Sequence, residues 1–386
     1  MSNRLIRLAL ATVLAAAACT GESEAGSDRL AIVDETGNVA IIADDVTTRL
    51  SDLPPNAIAF QPVWSPDGEH LAYVEQSAVT GALVITRPGP DDTPARIEEN
   101  TGFFYYAWDP NNGRLATLRN APSGRLVLEL ADIDGGLAEL DSGAPLYFSW
   151  EPTGERLAVH IGVDRLDIVE DGVGPVPIID DPGSFQSPWW TDEGIVFLQR
   201  GVTNQRLVVV DGADERVVAD VTGTAQFTVG DSLIAVQSFS SGEDAVSASL
   251  QSTPLLPAGR LVVVDLETSD VTAVSDANVT AFFWDPAGQQ LLILEIVDSE
   301  TGRFRWQVWS ATETRSFAEF VVEPTWLRDF LPFFDQYAQS VRLWSPDGRA
   351  FAFPGTIDGE VGIWIQHLDE DAPEKIGGGS WVAWSP

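Results

Sequence analysis

The chain carries three histidines (His70, His160 and His367), one cysteine (Cys19) and several adjacent aspartates. Zinc chemistry needs His or Cys groups at short, regular spacings such as H-x-x-x-H. No histidine pair here has one, so the sequence predicts no metal site of that kind. Calcium needs only oxygen ligands. Asp44-Asp45, Asp91-Asp92 and Asp180-Asp181 are its candidates, with Asp132-Ile133-Asp134-Gly135 as a fragment of a calcium loop. None completes the D-x-D-x-D-G pattern, and aspartate is equally a residue of tight turns. The expectation is no cofactor, with Ca2+ the one ion left open.

Nucleophilic catalysis fares no better. A hydrolase domain of the kind appended to some repeat scaffolds requires a G-x-S-x-G elbow. The chain has none, and no stretch is left over to build such a domain. Gly230-Asp231-Ser232-Leu233 resembles the G-D-S-L block of an esterase family. That family also requires a downstream D-x-x-H. The only D-x-x-H runs from Asp67 to His70, upstream and inside a repeat. The block reads as a turn, and no catalytic residue is assigned.

The elements that would position any site come from a repeated phrase: an aromatic, then S/D/E-P, then a glycine, then an apolar run. It begins at Trp64, Trp108, Trp150, Trp284 and Trp344, and begins again at Trp384-Ser385-Pro386. Trp190 and a degenerate Phe227 fill the gaps. The period is about 40 residues, the mark of a repeat architecture. Each interval reads as four short strands (A to D) separated by Gly, Pro and Asp turns, as at 60–64, 70–75, 82–86 and 95–98. Outside the N-terminus no helical run of useful length is expected. The anchors Trp64, Trp108, Trp150, Trp190, Phe227, Trp284 and Trp344 begin seven units. An eighth is composite: the tail at 381–386 supplies strand A, and 28–33, 38–44 and 47–52 supply B, C and D. The expected fold is therefore an all-β, eight-bladed β-propeller of four-stranded blades, closed by pairing its C-terminal and N-terminal strands.

The Trp64-Ser65-Pro66-Asp67-Gly68 and Trp344-Ser345-Pro346-Asp347-Gly348 phrases resemble the WD40-like repeats of TolB-type propellers, which also occur in prolyl-oligopeptidase-like enzymes. The resemblance covers nearly everything from residue 29 onward and implies the fold. TolB itself has six blades and a separate N-terminal domain, so its partnerships are not implied here.

Arg4 and Arg7 precede an apolar stretch from Leu8 to Ala18, a secretory signal. Ala16-Ala17-Ala18-Cys19 resembles a bacterial lipobox, with Ala where Leu is usual three places before the cysteine. The expectation is a signal peptide at 1–18, lipid on Cys19, a flexible tether at 19–28 and one propeller domain at 29–386. The protein would then be exported and lipid-anchored, at the outer face of the cytoplasmic membrane or at the outer membrane. The formal net charge is −36, with Lys375 the single lysine. Such a surface repels nucleic acid and anionic headgroups, so the lipid alone would hold the membrane. The acids are scattered through turns, which suits a soluble monomer.

Function is sought in two insertions, 238–258 and 324–340. The first lies between strands B and C of its unit, the second between D and A. Those loops emerge on one face of a propeller, and long loops on a rigid scaffold are where binding usually resides. The second insertion holds Trp326, Phe330, Phe333, Phe334 and Tyr337. It either plugs the channel mouth or forms an aromatic recognition surface; the plug is favoured because exposed apolar patches are uncommon. Arg328, Asp335 and Arg342 would add polar handles. The residues before the anchors (Val63, Ala107, Ser149, Gln226, Phe283, Leu343 and Ala383) are poor in acid–base groups, which favours a non-catalytic scaffold. The expected function is binding of an envelope protein or peptide on the insertion face. A lyase- or lactonase-type propeller enzyme, with a metal or carboxylates in the channel, and a carbohydrate-binding module are the alternatives.

Overall fold

The structure, a computed structural model, describes residues 29–386 except 45, 79, 90–91, 100–101, 112, 164, 180–181, 203, 240–253, 257–258 and 277. The leader, Cys19 and the tether lie outside the described residues. So do Asp45, Asp91, Asp180 and Asp181, and most of the first insertion.

The strands form antiparallel sheets that follow chain order. The first runs Val46–Arg49, Val39–Ala43, Arg29–Val33 and then Trp381–Trp384. There the tail pairs antiparallel with the head, Leu30 opposite Trp384 and Val33 opposite Trp381. Four-stranded sheets follow from Ala57–Trp64, Phe103–Trp108 and Leu146–Trp150. The sheet begun by Trp189–Thr191 gains a fifth, parallel strand, Leu255–Leu256, at the exit of the first insertion. Another four-stranded sheet begins at Thr224–Val229. Inner strands such as Gly81–Thr86 are buried along their whole length, whereas the outermost strand Val46–Arg49 is exposed throughout. Both faces of each sheet are thus covered near the centre, and polar edges point outward.

The last sheet has seven strands, from Val279–Trp284 to Glu374–Gly377. Its first four strands end at Val322, where Val321 and Val322 pair with Thr356 and Gly355. The unit beginning at Trp344 should have its own inner strand there. It is reduced to a bridge between Trp344 and Phe351 and a bond from the Ala352 amide to the Leu343 carbonyl at 2.8 Å. The second insertion has replaced the rest of that strand.

The repeated phrase folds as one turn. In Ser65–Gly68 the Gly68 amide donates to the Ser65 carbonyl at 2.9 Å, and Gly68 sits at φ +70°. Glu151–Gly154, Asp285–Gly288 and Ser345–Gly348 repeat the bond. Positive φ is the reason for the glycine. At Gly288 an added Cβ would also lie 2.2 Å from the Asp231 amide nitrogen of the neighbouring sheet.

The tryptophans then join sheet to sheet. The indole N–H of Trp108 donates to Val63 O at 3.1 Å and that of Trp150 to Ala107 O at 3.0 Å. Trp344 donates to Phe283 O at 3.1 Å, and Trp64 to Ala383 O at 3.3 Å. Each acceptor is the residue just before the tryptophan of the preceding unit. Trp284 donates to Thr228 O at 3.2 Å, so the corresponding position there is Val229. This corrects Phe227, which is fully buried but lies two residues early in the register. Trp190 departs from the pattern, its backbone amide donating to Ser149 Oγ at 2.9 Å. Among the described residues the Trp384 indole finds no acceptor.

The expectation of no helix is corrected. The second insertion contains α1 (Pro324–Asp329) and α2 (Phe334–Tyr337), joined by a 3-10 turn at Leu331–Phe333. Pro324 enters at the first turn, where its missing N–H costs nothing, and the Glu323 carboxylate accepts from the Thr325 and Trp326 amides. Both helices are too short for a strong periodic signature, and packing holds them.

Candidate functional site

The helical insertion seats itself in the middle of the sheets. The Gln336 side chain completes the edge of Phe148, donating to its carbonyl at 2.9 Å and accepting from its amide at 2.8 Å. Tyr105 Oη donates to Gln336 O at 3.0 Å, and Tyr337 Oη donates to Phe104 O at 2.7 Å. The Gln61 amide also donates to Tyr337 Oη. Gln61 sits at φ +54° within a register shift, a strained position for a residue with a Cβ. Trp326 and Phe330 pack on Trp381, and Phe334 packs on Phe282 and Phe283. The insertion thus contacts residues of the first, second, third, fourth and last sheets.

Burial divides the eight predicted partner-binding residues. Trp326, Phe330, Phe334, Asp335 and Tyr337 are buried, because their surfaces fill the centre. Arg328 and Phe333 stay exposed. Arg342 is half-buried and lies elsewhere, in a cavity lined by Pro286, Pro346 and Pro386 of the A–B turns. The insertion's last residues, Ala338–Ser340, line the same cavity, so Arg342 lies where the chain leaves the insertion, apart from the groove that holds Asp335.

Beside the helices opens a cavity of about 1120 Å³. Its walls are the Asp34–Gly37 turn, Pro55 and Ala57–Gln61, Phe104 and Tyr105, Pro145–Tyr147, Phe185, and the insertion's Pro332, Phe333 and Asp335–Tyr337. Ile58, Phe333 and Val361 present half or so of their surface at its mouth. Asp34, Glu35, Glu323, Asp329 and Asp335 supply its charge, and no Lys or Arg is among its described lining residues.

The acids differ in state. Partial burial opposes ionisation of Asp34, but hydrogen bonds from Thr36 and Asn38 and the charge of Arg49 outweigh it and hold the carboxyl below its ordinary value. Asp335 goes the other way. Burial pushes it up to about 6, against an amide bond from Ser187 at 3.1 Å. Burial also raises Tyr147 and Tyr337 above the usual phenol range. Chemically the groove offers apolar surface, carboxyl groups at its rim and one poorly hydrated carboxyl in its wall.

The remaining sequence candidates fall in structural roles. His160 is fully buried, its Nδ1 2.9 Å from Gln186 O, and burial lowers it to about 4. His70 faces the Trp108 ring at 5.9 Å. That contact belongs to a set the sequence reading missed. Arg29 lies over Trp64 at 4.6 Å, Arg114 over Trp150 at 5.7 Å and Arg156 over Trp190 at 5.1 Å. Arg29 and Arg114 also donate to the carbonyls of Gly68 and Gly154 in the next unit, at 2.5 and 2.9 Å. The signal was present: a basic residue precedes the first leucine of each of these B strands. Asp132 Oδ1 accepts from the Asp134 and Gly136 amides, closing a turn. Gly230 closes another with Leu233. Among the described residues no three His, Cys, Asp or Glu gather as a metal-holding group, and no helix is long and apolar enough to cross a membrane.

No protein-family model matches the chain, and no curated protein matches it. Solved structures do. A eukaryotic initiation factor is 12% identical, with 93% of this chain and 98% of that one covered at a TM-score of 0.56. The β-propeller domain of the Trilobed protease from Pyrococcus furiosus is 12% identical, covering 83% and 97% at 0.51. A prolyl endopeptidase structure is 12% identical and covers 85% of this chain but only 50% of its own, at 0.52. At such identity the likeness shows the fold, a β-propeller.

Proposed function

We propose that the protein is a non-catalytic lipoprotein of the bacterial cell envelope whose propeller binds a protein or peptide partner in the groove beside its helical plug. In this reading the merged seven-stranded sheet counts as two blades, one ending at Val322 and one beginning at Trp344, which makes eight. A monomer hangs by lipid on Cys19, with 19–28 as its tether. The observation that carries the binding claim is the groove's lining: exposed Ile58, Phe333 and Val361 beside Asp34, Glu35 and Asp329, with no described cation among them. Apolar burial would supply affinity, and the acids would steer and orient a basic segment. The occupant of best fit is an extended stretch that alternates basic and apolar side chains.

An array of short peptides of varied charge and hydropathy, probed with the purified protein, tests this. Retained sequences should be basic and apolar, and Phe333→Arg and Ile58→Arg should abolish retention. An array that retains acidic or uncharged sequences, or is indifferent to both substitutions, contradicts it.

Asp335 gives a second reading a foothold. A carboxyl near 6 in a groove wall has the poise of a general acid or base, as the enzyme alternative would need. The scaffold reading is preferred because Asp335 is committed to the Ser187 amide and its titratable neighbours Tyr105 and Tyr147 are buried phenols raised above their ordinary range.

A further inference from the structure

We propose that the cavity between the end of the helical plug and the A–B turns is a second binding site, and that it takes a small monocarboxylate carried on a flat apolar group. The cavity there is about 360 Å³, inside the roughly 300–1,000 Å³ span of small-molecule sites. Pro286, Pro346 and Pro386, one from each of three successive W-x-P turns, stand at its rim. Phe283, Trp284 and Trp344 supply its apolar and aromatic wall. Arg342 is the one charged side chain among its described lining residues.

The state of Arg342 is what distinguishes the place. Among the described residues its guanidinium makes no ion pair and no side-chain hydrogen bond, and Pro386 on the rim does not pair with it. Burial without a compensating acid lowers it from its ordinary value. The chain has 58 acidic residues for 22 basic ones. Other partly buried arginines find carboxylates: Arg119 with Glu129, Arg156 with Glu151, Arg305 with Glu295. A half-buried cation without a counter-ion is unfavourable, and a wall without acidic side chains leaves the position to an incoming anion.

The class of anion follows from charge and shape. A guanidinium offers a planar fork that matches a carboxylate with two parallel bonds. One guanidinium meets one negative charge. A phosphate dianion would bring a second charge into the field of a protein at −36. The indole and phenyl groups suit a flat apolar body.

Calorimetric titration of the full-length protein with benzoate, inorganic phosphate and benzyl alcohol tests the proposal. Benzoate should bind more tightly than the other two. Arg342→Gln should weaken benzoate by at least about tenfold and leave benzyl alcohol unchanged, because a charge-assisted hydrogen bond is lost. Arg342→Lys, which keeps the charge should the glutamine variant fold poorly, should fall between. Phosphate binding more tightly than benzoate, no benzoate binding at all, or equal benzoate affinity in wild type and both variants would overturn it.

Discussion

The indole N–H of Trp64 donates to the carbonyl of Ala383 at 3.3 Å, across a sequence separation of 319 residues. The bond repeats the contact that Trp108 and Trp150 make with their preceding units, so head and tail meet as neighbours do elsewhere in the fold. Trp64 is itself buried, with Arg29 over its ring. Trp64→Phe should therefore cost about 1 kcal/mol, the worth of the hydrogen bond, and Trp64→Ala about 3–5 kcal/mol. Urea denaturation gives both values; an unchanged midpoint for Trp64→Ala would refute this packing.

The plug depends on Gln336. Its amide satisfies both backbone groups of Phe148, and it is buried. Gln336→Leu leaves an N–H and a C=O without partners inside the protein, at about 1–3 kcal/mol each. The variant should lose about 2–6 kcal/mol, and hydrogen exchange should quicken at Phe148. Exchange unchanged at that amide would mean the plug is not seated as described.

Two buried groups pull stability in opposite directions with pH. Asp335, raised from 3.8 to about 6, favours folding when protonated; its contribution is full below pH 3.8 and is lost as pH rises through 6. His160, lowered from 6.5 to about 4, favours folding when neutral; its contribution is full above pH 6.5 and is lost as pH falls through 4. Each term is on the order of 3 kcal/mol. Relative to wild type, Asp335→Asn should gain stability as pH rises from 4 to 7, and His160→Gln should gain it as pH falls over the same range. Thermal melts at several pH values check the signs, and parallel curves for all three proteins would contradict them.

Cys19 lies outside the described residues, and its lipid belongs to the proposal. Cys19→Ser should move the protein from the membrane fraction to the soluble fraction, since neither the acidic body nor any described helix offers another anchor. Continued sedimentation with membranes would remove the lipoprotein claim.

The sheet order and the head-to-tail pairing were legible because a turn that needs Pro, Asp and a positive-φ glycine must write those residues each time it occurs. The tryptophans were legible for a related reason: the indole must be both large and a donor to span neighbouring units. Phe227 was misplaced because Val229 carries neither signal, and the register there is visible only through the Trp284 bond. The helices α1 and α2 escaped because six and four residues are too few to show a helical period. Their aromatic content was plain in the sequence. Which side chains turn inward was not, since that depends on Phe148, Tyr105 and Trp381, far away in the chain. Arg342 stands apart from the groove of Asp335 because the chain leaving α2 runs toward the A–B turns, a path that proximity in sequence does not show.

The groove claim is tested most directly by fluorescence anisotropy of a labelled peptide alternating arginine and phenylalanine, titrated with wild type and with Phe333→Arg. Phe333 is exposed at the groove mouth, so the substitution spares the core. The peptide should bind wild type, weaken as salt rises, and weaken at least about tenfold in the variant. Absence of binding, or equal affinity for both proteins, would contradict the account.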